Sequence, residues 1–487
     1  MTEPPAPKPT YEELLIEVAS LKAELAQLRR FIFGQKRERY VPLTNAQQLP
    51  IALHDVQQEI PAVATATITY TRRQKKPSPL KLPSRHLLPA HLRREEIRLE
   101  PEGDASALKK IGEEITEELE YQPGELYVKR YVRPKYARPD GDGVIVASLP
   151  TRPIDKGIAG PGLLSHILIS KYVDHLPLYR QRQQFRRHGV EIAESTLNGW
   201  VKTSGELLLP LYETQRQLIQ ASSYLMADET PIRVLDSSQT GKCHLGYHWV
   251  YHDPVAKLVL FDYRPGRSRA GPNDMLKNFR GYLQIDGYAG YDDIIARPEV
   301  MAVGCFAHAR RYFDQAQDGD RERAAWMLSK IQALYLIEWQ AREAALSFDQ
   351  RYALRQQQAQ PILHEIKTWL DQQCTQVLPK SAIGKAIGYM LGQWSKLEKY
   401  ISDGRLEIDN NLVENAIRPV ALGRKNYLFA GSHDGAKRAA IIYTLVATAK
   451  RHSVEPLAYL KDVLTRLPDY SHNKRADLLP QNWQLKS

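Results

Sequence analysis

The sequence predicts an α/β protein with a large helical insertion in its core. A coiled coil, a small β-rich module and a helical region precede that core. Three observations carry this. Short apolar or aromatic runs bounded by Gly, Pro or Asp recur through residues 221–312, as strands do. Residues 313–400 turn to long amphipathic patterns, such as 324–346 and 358–373. Residues 401–452 hold a polar loop and then more helix. The helical block therefore reads as an insertion, about 315–400, within one α/β domain at 221–452.

Composition bounds the class. The 487 residues allow about three domains of roughly 150 residues. With 43% apolar and 25% charged residues, the chain is globular rather than disordered. The 67 Lys and Arg against 56 Asp and Glu give a net charge of +11, which suits a polyanionic partner without demanding one. Cys243, Cys305 and Cys374 are odd in number and far apart, so no disulfide framework is expected. No CxxC pair exists, and no zinc is expected. The opening MTEPPAPKPT lacks the apolar core of a signal peptide, and the longest nearly apolar run, 439–449, is too short for a bilayer. A cytoplasmic protein with no membrane partner is the expectation.

The elements follow in order. Leu14, Val18, Leu21, Leu25, Leu28 and Ile32 alternate steps of four and three, the seam of a heptad repeat. Residues 11–40 are thus expected to form a coiled-coil helix and a homo-oligomer. Residues 41–95, with recurrent proline and weak periodicity, read as a linker. Residues 96–150 read as a small β-rich module, because EELEYQPGELYVKRYVRPKYA alternates like strands.

Residues 155–220 read as helical. Within them, LPLYRQRQQFRRHGVEIAESTLNGWV has a helix–turn–helix shape: a helix at about 177–187, a turn at Gly189, and Ser195 as N-cap of the next helix. Arg180, Arg182, Arg186 and Arg187 make this pair a DNA-binding candidate; an ordinary hairpin with a solvated basic face fits the same residues. Residues 453–487 read as a C-terminal helix and tail.

Three acids stand out by context. Asp228 follows the apolar run YLMA, Asp286 follows YLQI, and Glu414 lies in IDNNLVENAIRP. An Asp after an apolar run sits at a strand end, where α/β active sites gather. Two such strands side by side would join their carboxylates, and a helix packed at that edge would add a third. Such a cluster suits phosphodiester cleavage, in which two Mg²⁺ ions held by carboxylates stabilise the attacking and leaving oxygens. Glu229, Asp292, Asp293, Glu407 and Asp409 compete for these places, and spacing alone does not choose among them. Arg418, Arg424, Lys425, Lys437 and Arg438 lie near Glu414 in sequence and read as phosphate contacts or as a solvated basic face. His308, in CFAHARRYF, reads equally as an accessory site residue or a core histidine. Trp249, Tyr288 and Tyr291 are candidates for stacking on a base, with core packing the stronger reading for Trp249.

At these residues the chain resembles the transposases of the insertion sequence 66 family. The resemblance runs through RRFIFGQKRERY, the helix–turn–helix stretch, ADETPIRVL, QIDGYAGY, GCFAHARRYF, GRLEIDNNLVENAIRPVALGRKNYLFAGS and LLPQNW. It implies a ribonuclease-H-like DDE core with Asp228, Asp286 and Glu414 as catalytic, metal-holding residues. It implies two Mg²⁺, replaceable by Mn²⁺. It also implies element-end and target DNA as partners, small accessory proteins of the same element, and association with the nucleoid. The implied activity is cleavage at the element's ends and joining of the freed 3′-OH to target DNA. A catalytically inactive regulator that binds the ends, and a nuclease that cuts without joining, are the other readings. One departure stands out: the family usually carries a cysteine-rich zinc-finger-like segment, and residues 90–150 contain no cysteine.

Overall fold

The computed structural model describes residues 88–484, apart from 89, 91, 100–108, 123, 139–142 and 236–241. The coiled coil expected at 11–40 and nearly all of the expected linker lie outside the described residues.

The β-rich module is a small sheet. Strands β1 (Arg93–Arg98), β2 (Lys109–Gln122), β3 (Glu125–Ala137) and β4 (Val144–Val146) place β3 between β1 and β2, with β4 on the end of β3. β2 and β3 form a long antiparallel hairpin, and Gly124 takes φ +85° in its tight turn. Opposite charges face each other across the strands: Glu117 meets Arg94 at 3.0 Å, and Glu114 meets Arg133 at 3.1 Å. β1 begins inside the stretch expected to be linker, because pairing with β3 orders a segment too charged to read as a strand.

Three helices follow: α1 (Pro161–Tyr172), α2 (Leu178–Arg187) and α3 (Glu194–Gln220). Pro161 starts α1, where its missing N–H costs nothing. The expected helix pair is present, with Gly189 at φ +76° between α2 and α3. Ser195 is not the cap, however; Ala193 occupies that position without a side-chain bond, and Ser195 lies in the first turn.

The central sheet has five strands: β5 (Tyr224–Leu235), β6 (Cys243–Asp253), β7 (Leu258–Arg264), β8 (Gly281–Gln284) and β9 (Val300–Val303). Their order is β7-β6-β5-β8-β9. β5, β6 and β7 are antiparallel, whereas β8 and β9 run parallel to β5. β7 would be an open edge, and side chains close it. Thr444 and Thr448 accept from the N–H groups of Phe261 and Val259, while Tyr212 and Gln215 donate to the carbonyls of the same two residues.

After β9 the chain turns helical: α4 (Phe306–Ala316), α5 (Arg321–Glu343), α6 (Phe348–Leu354), a π-helical turn Arg355–Ala359, α7 (Gln360–Gln373) and α8 (Ala382–Gly392). It returns through a loop to α9 (Asn411–Tyr427), α10 (His433–Arg451) and α11 (Pro456–Arg466). One continuous apolar core runs from the β-rich module through α3 and the sheet to α11. Among the described residues, no helix is long and apolar enough to cross a membrane.

Candidate active site

β5 and β8 are parallel neighbours, so Asp228 within β5 and Asp286 beyond the end of β8 come to one place; Asp228 does not end its strand as the sequence suggested, because β5 runs on beside β6 to Leu235. Asp228 lies within β5, half-buried, and its Oδ1 accepts from the Glu229 N–H at 2.7 Å. Asp286 lies two residues past β8, and its Oδ1 accepts from the Tyr288 N–H at 2.9 Å. The turn needs Gly287, which takes φ +97°, a conformation that side-chain-bearing residues rarely adopt. Glu414 comes from the first turn of α9.

Burial raises the Asp228 carboxyl well above the usual range, and the charges of Asp286, Glu229 and Glu414 raise it further. The three acids singled out in the sequence thus share one site. The His308 ring Nε2 lies 3.9 Å from Glu414 Oε1.

The competing acids are occupied elsewhere. Glu229 pairs with Arg267, whose guanidinium stacks 3.9 Å above the Tyr288 ring. Asp292 and Asp293 pair with Arg269 at 3.4 and 3.0 Å. Glu407 is gripped by Arg351 at 2.8 and 2.9 Å. Asp409 is buried, where it accepts from Tyr335 at 2.8 Å and from the Asn411 backbone at 3.0 Å.

Several residues that hold the site gave no signal in the sequence. Tyr389 of α8 donates to the Asp286 carbonyl at 3.0 Å. Buried Gln284 donates to the carbonyls of Gly304 and Glu407 and accepts from Tyr224. These bonds tie the loop before α9 to β5 and β8. Arg355, wholly buried, donates to the carbonyls of Tyr400, Asp403 and Leu406 and pairs with buried Glu338.

The basic residues divide. Arg418, Lys425 and Lys437 are exposed on α9 and α10. Arg424 turns inward, donating to the Pro231 carbonyl at 2.5 Å. Arg438 is half-buried against Gly205 of α3. On α2, Arg180, Arg186 and Arg187 are exposed, and Arg182 and Arg186 both pair with Glu191, at 2.7 and 3.3 Å. Trp249 and Tyr291 are wholly buried, so they pack the core and do not reach a ligand; Tyr288 is half-buried and accessible.

A divalent cation suits the chemistry of the cluster. The donors are carboxylate oxygens, which hard ions prefer, and their mutual repulsion at Asp228 calls for positive charge. Among the described residues, no group of three or more His, Cys, Asp or Glu side chains is gathered tightly enough to hold one ion. The carboxylates are near enough to feel one another without forming a ready-made three-ligand cage.

Comparison with known proteins bears on this arrangement. The family model described as transposase IS66 family matches residues 156–438, more than half of the chain. The chain belongs to the IS66 transposase family. Its IS66 C-terminal element spans 444–481. Residues 20–97 match a model described as transposase C of IS166 homeodomain, and 101–137 match one described as the zinc-finger binding domain of transposase IS66. Residues 101–137 contain neither Cys nor His, so they do not fit a zinc finger; their hairpin stands on strand pairing instead. Two relatives from Sinorhizobium fredii (strain NBRC 101917 / NGR234) are similar along almost their whole length. Uncharacterized protein y4jD is 33% identical, covering 97% of this chain and 96% of its own. Uncharacterized protein y4hP is 31% identical, covering 96% and 90%.

Proposed function

We propose that this IS66 family chain is a DNA transposase that cuts the ends of its element and joins the freed 3′-OH to target DNA. The observation that carries the reading is the meeting of Asp228, Asp286 and Glu414 from two adjacent strands and one helix. The strand order, with three antiparallel strands followed by two parallel ones, supports a ribonuclease-H-like core.

Asp228, Asp286 and Glu414 would hold two Mg²⁺, or Mn²⁺ in their place. Bound there, the ions supply charge stabilisation at the attacking and leaving oxygens of the phosphodiester. The protein's own part is positioning. Tyr389 and Gly287 fix the Asp286 turn, the Tyr224–Gln284 pair fixes the approach to α9, and His308 flanks the Glu414 carboxylate. Arg418, Lys425 and Lys437 supply exposed charge for DNA phosphates near the site, and the arginines of α2 supply it at a distance. Self-association through residues 11–40 and small accessory proteins belong to the same reading.

The test uses a supercoiled plasmid carrying the element's ends, incubated with full-length protein and Mg²⁺. Glu414→Gln should abolish nicking and leave DNA binding largely intact. Undiminished nicking by that variant would refute the assignment. Strand-transfer products with the wild-type protein separate a transposase from a nuclease that only cuts.

A further inference from the structure

A second site lies on the same face of the sheet. A pocket of ≈ 370 Å³ is lined by α1, α3, β5, β6, α9 and the start of α10. Lys171 of α1 points its ammonium over the ring of Tyr427, 5.0 Å from the centroid. No hydrogen bond or ion pair engages that ammonium among the described residues, and burial lowers its pKa to about 8. Arg438 adds a second cation, and its Nε has no hydrogen-bond partner among the described residues. His248 is 1% exposed and its Nδ1 is likewise unpartnered. Burial and nearby Arg424 keep this imidazole neutral. A buried polar ring left without a partner costs free energy unless a ligand completes it.

The rim is built under strain. Leu428, a non-glycine residue, takes φ +59° and ψ −42°, a conformation that strains a side-chain-bearing residue. Ala430 clasps β5 on both sides of this turn, donating to Arg233 at 2.8 Å and accepting from Leu235 at 2.9 Å. The clasp leaves Phe429 at the mouth, 40% exposed. An aromatic ring held outward beside unpaired cations is costly to maintain for packing alone.

The position is as telling as the chemistry. Ile232, at the pocket floor, lies four residues beyond Asp228 on β5 and on the same face, about 13 Å away at the rise of a strand. Asn198, which also lines the pocket, belongs to the second helix of the basic helix pair. The pocket therefore lies between the α2–α3 pair and the carboxylates.

We propose that this pocket binds one unpaired nucleotide of the DNA substrate, its base stacked on Phe429 and its phosphate held by Lys171 and Arg438. The assignment rests on the DNA reading above. At about 3.4 Å per base along a strand, the nucleotide would sit roughly four steps from the phosphate at the carboxylates.

The experiment measures binding of full-length protein in chelator, so that no cutting intervenes. Two mixed-sequence duplexes are compared, one blunt and one with a short single-stranded overhang containing 2-aminopurine. The wild type should favour the overhang duplex and quench the 2-aminopurine. Phe429→Ala and Lys171→Met should remove that preference, with overhang binding at least about fivefold weaker and blunt binding unchanged. Phe429 is exposed, so its replacement leaves the fold intact, which a thermal melt checks. Equal loss on both duplexes, or no preference in the wild type, would overturn the proposal. So would a free nucleoside monophosphate that protects Phe429→Ala as well as the wild type in that melt. A free nucleoside monophosphate that competes only with the overhang duplex would support it. The carboxylate assignment is tested separately by nicking: Glu414→Gln should keep the overhang preference, so either reading can fail alone.

Discussion

The hydroxyl of Tyr389 donates to the main-chain carbonyl of Asp286 at 3.0 Å, joining the helical insertion to the end of β8. Tyr389 also stacks on Tyr312, with ring centroids 4.4 Å apart. The insertion is thus a brace for one carboxylate as well as a covering layer. Its own helices anchor to the sheet through α4, which begins just after β9.

Tyr389→Phe removes the hydroxyl and keeps the ring. One neutral hydrogen bond is worth about 0.5–1.5 kcal/mol. Cleavage should slow by about three- to tenfold, while the melting temperature and DNA affinity stay nearly unchanged. A variant with full cleavage rate would show that the Asp286 turn holds its shape without the brace.

Asp228→Asn removes one charge from a buried, repulsive cluster. In chelator the variant should melt several degrees above the wild type. Adding Mg²⁺ should raise the melting temperature of the wild type and leave the variant unmoved. Calorimetry in both buffers reads this, and an equal Mg²⁺ response in the two proteins would remove Asp228 from the proposed ion site.

Glu338→Ala leaves Arg351 and Arg355 without their shared carboxylate. Both guanidiniums are buried, so the loss should cost about 3–5 kcal/mol in urea unfolding. Because Arg355 also holds the carbonyls before α9, cleavage should fall along with stability. Glu338→Gln, which keeps the acceptor oxygen, should lose less of both.

Acid should unfold this protein through two histidines of β6. His248 is pushed down to about 3 and His252 well below its ordinary value of 6.5, both by burial first and by a nearby arginine second. Below pH 6.5 the unfolded chain takes up protons that the folded one refuses, so stability falls as pH drops towards 3. His252→Phe should flatten part of that slope in melts taken across this range.

The strands of the core, the helix pair and the two aspartates were legible in the sequence because each follows from local pattern: an apolar run, an Asp after it, a glycine where φ turns positive; Glu414 was singled out from its neighbours only by the family resemblance. The supports were not. Tyr389 reaches Asp286 across 103 positions, and Gln284 reaches Glu407 across 123. Nothing in a window of ten residues marks such a pair. Glu407 and Asp409 competed with Glu414 for the same reason: only the partners Arg351 of α6 and Tyr335 of α5 show that they are engaged elsewhere. The start of β1 was missed because RREEIR has no apolar alternation; it is a strand through its neighbour β3.

Helix α3 runs 27 residues, carried on through Pro210, and spans about 40 Å at 1.5 Å per residue. Its first turns carry Asn198 and its later turns bond to β7 through Tyr212 and Gln215. On the proposed transposase reading, recognition and cutting would be joined by a measuring rod and not by a tether. If the helix pair reads a DNA sequence, the number of base pairs between that sequence and the cut is a property of this helix. Adding one residue to it would turn the reading end by about 100° and point it at a different groove, so spacing between signal and cut can change only in jumps.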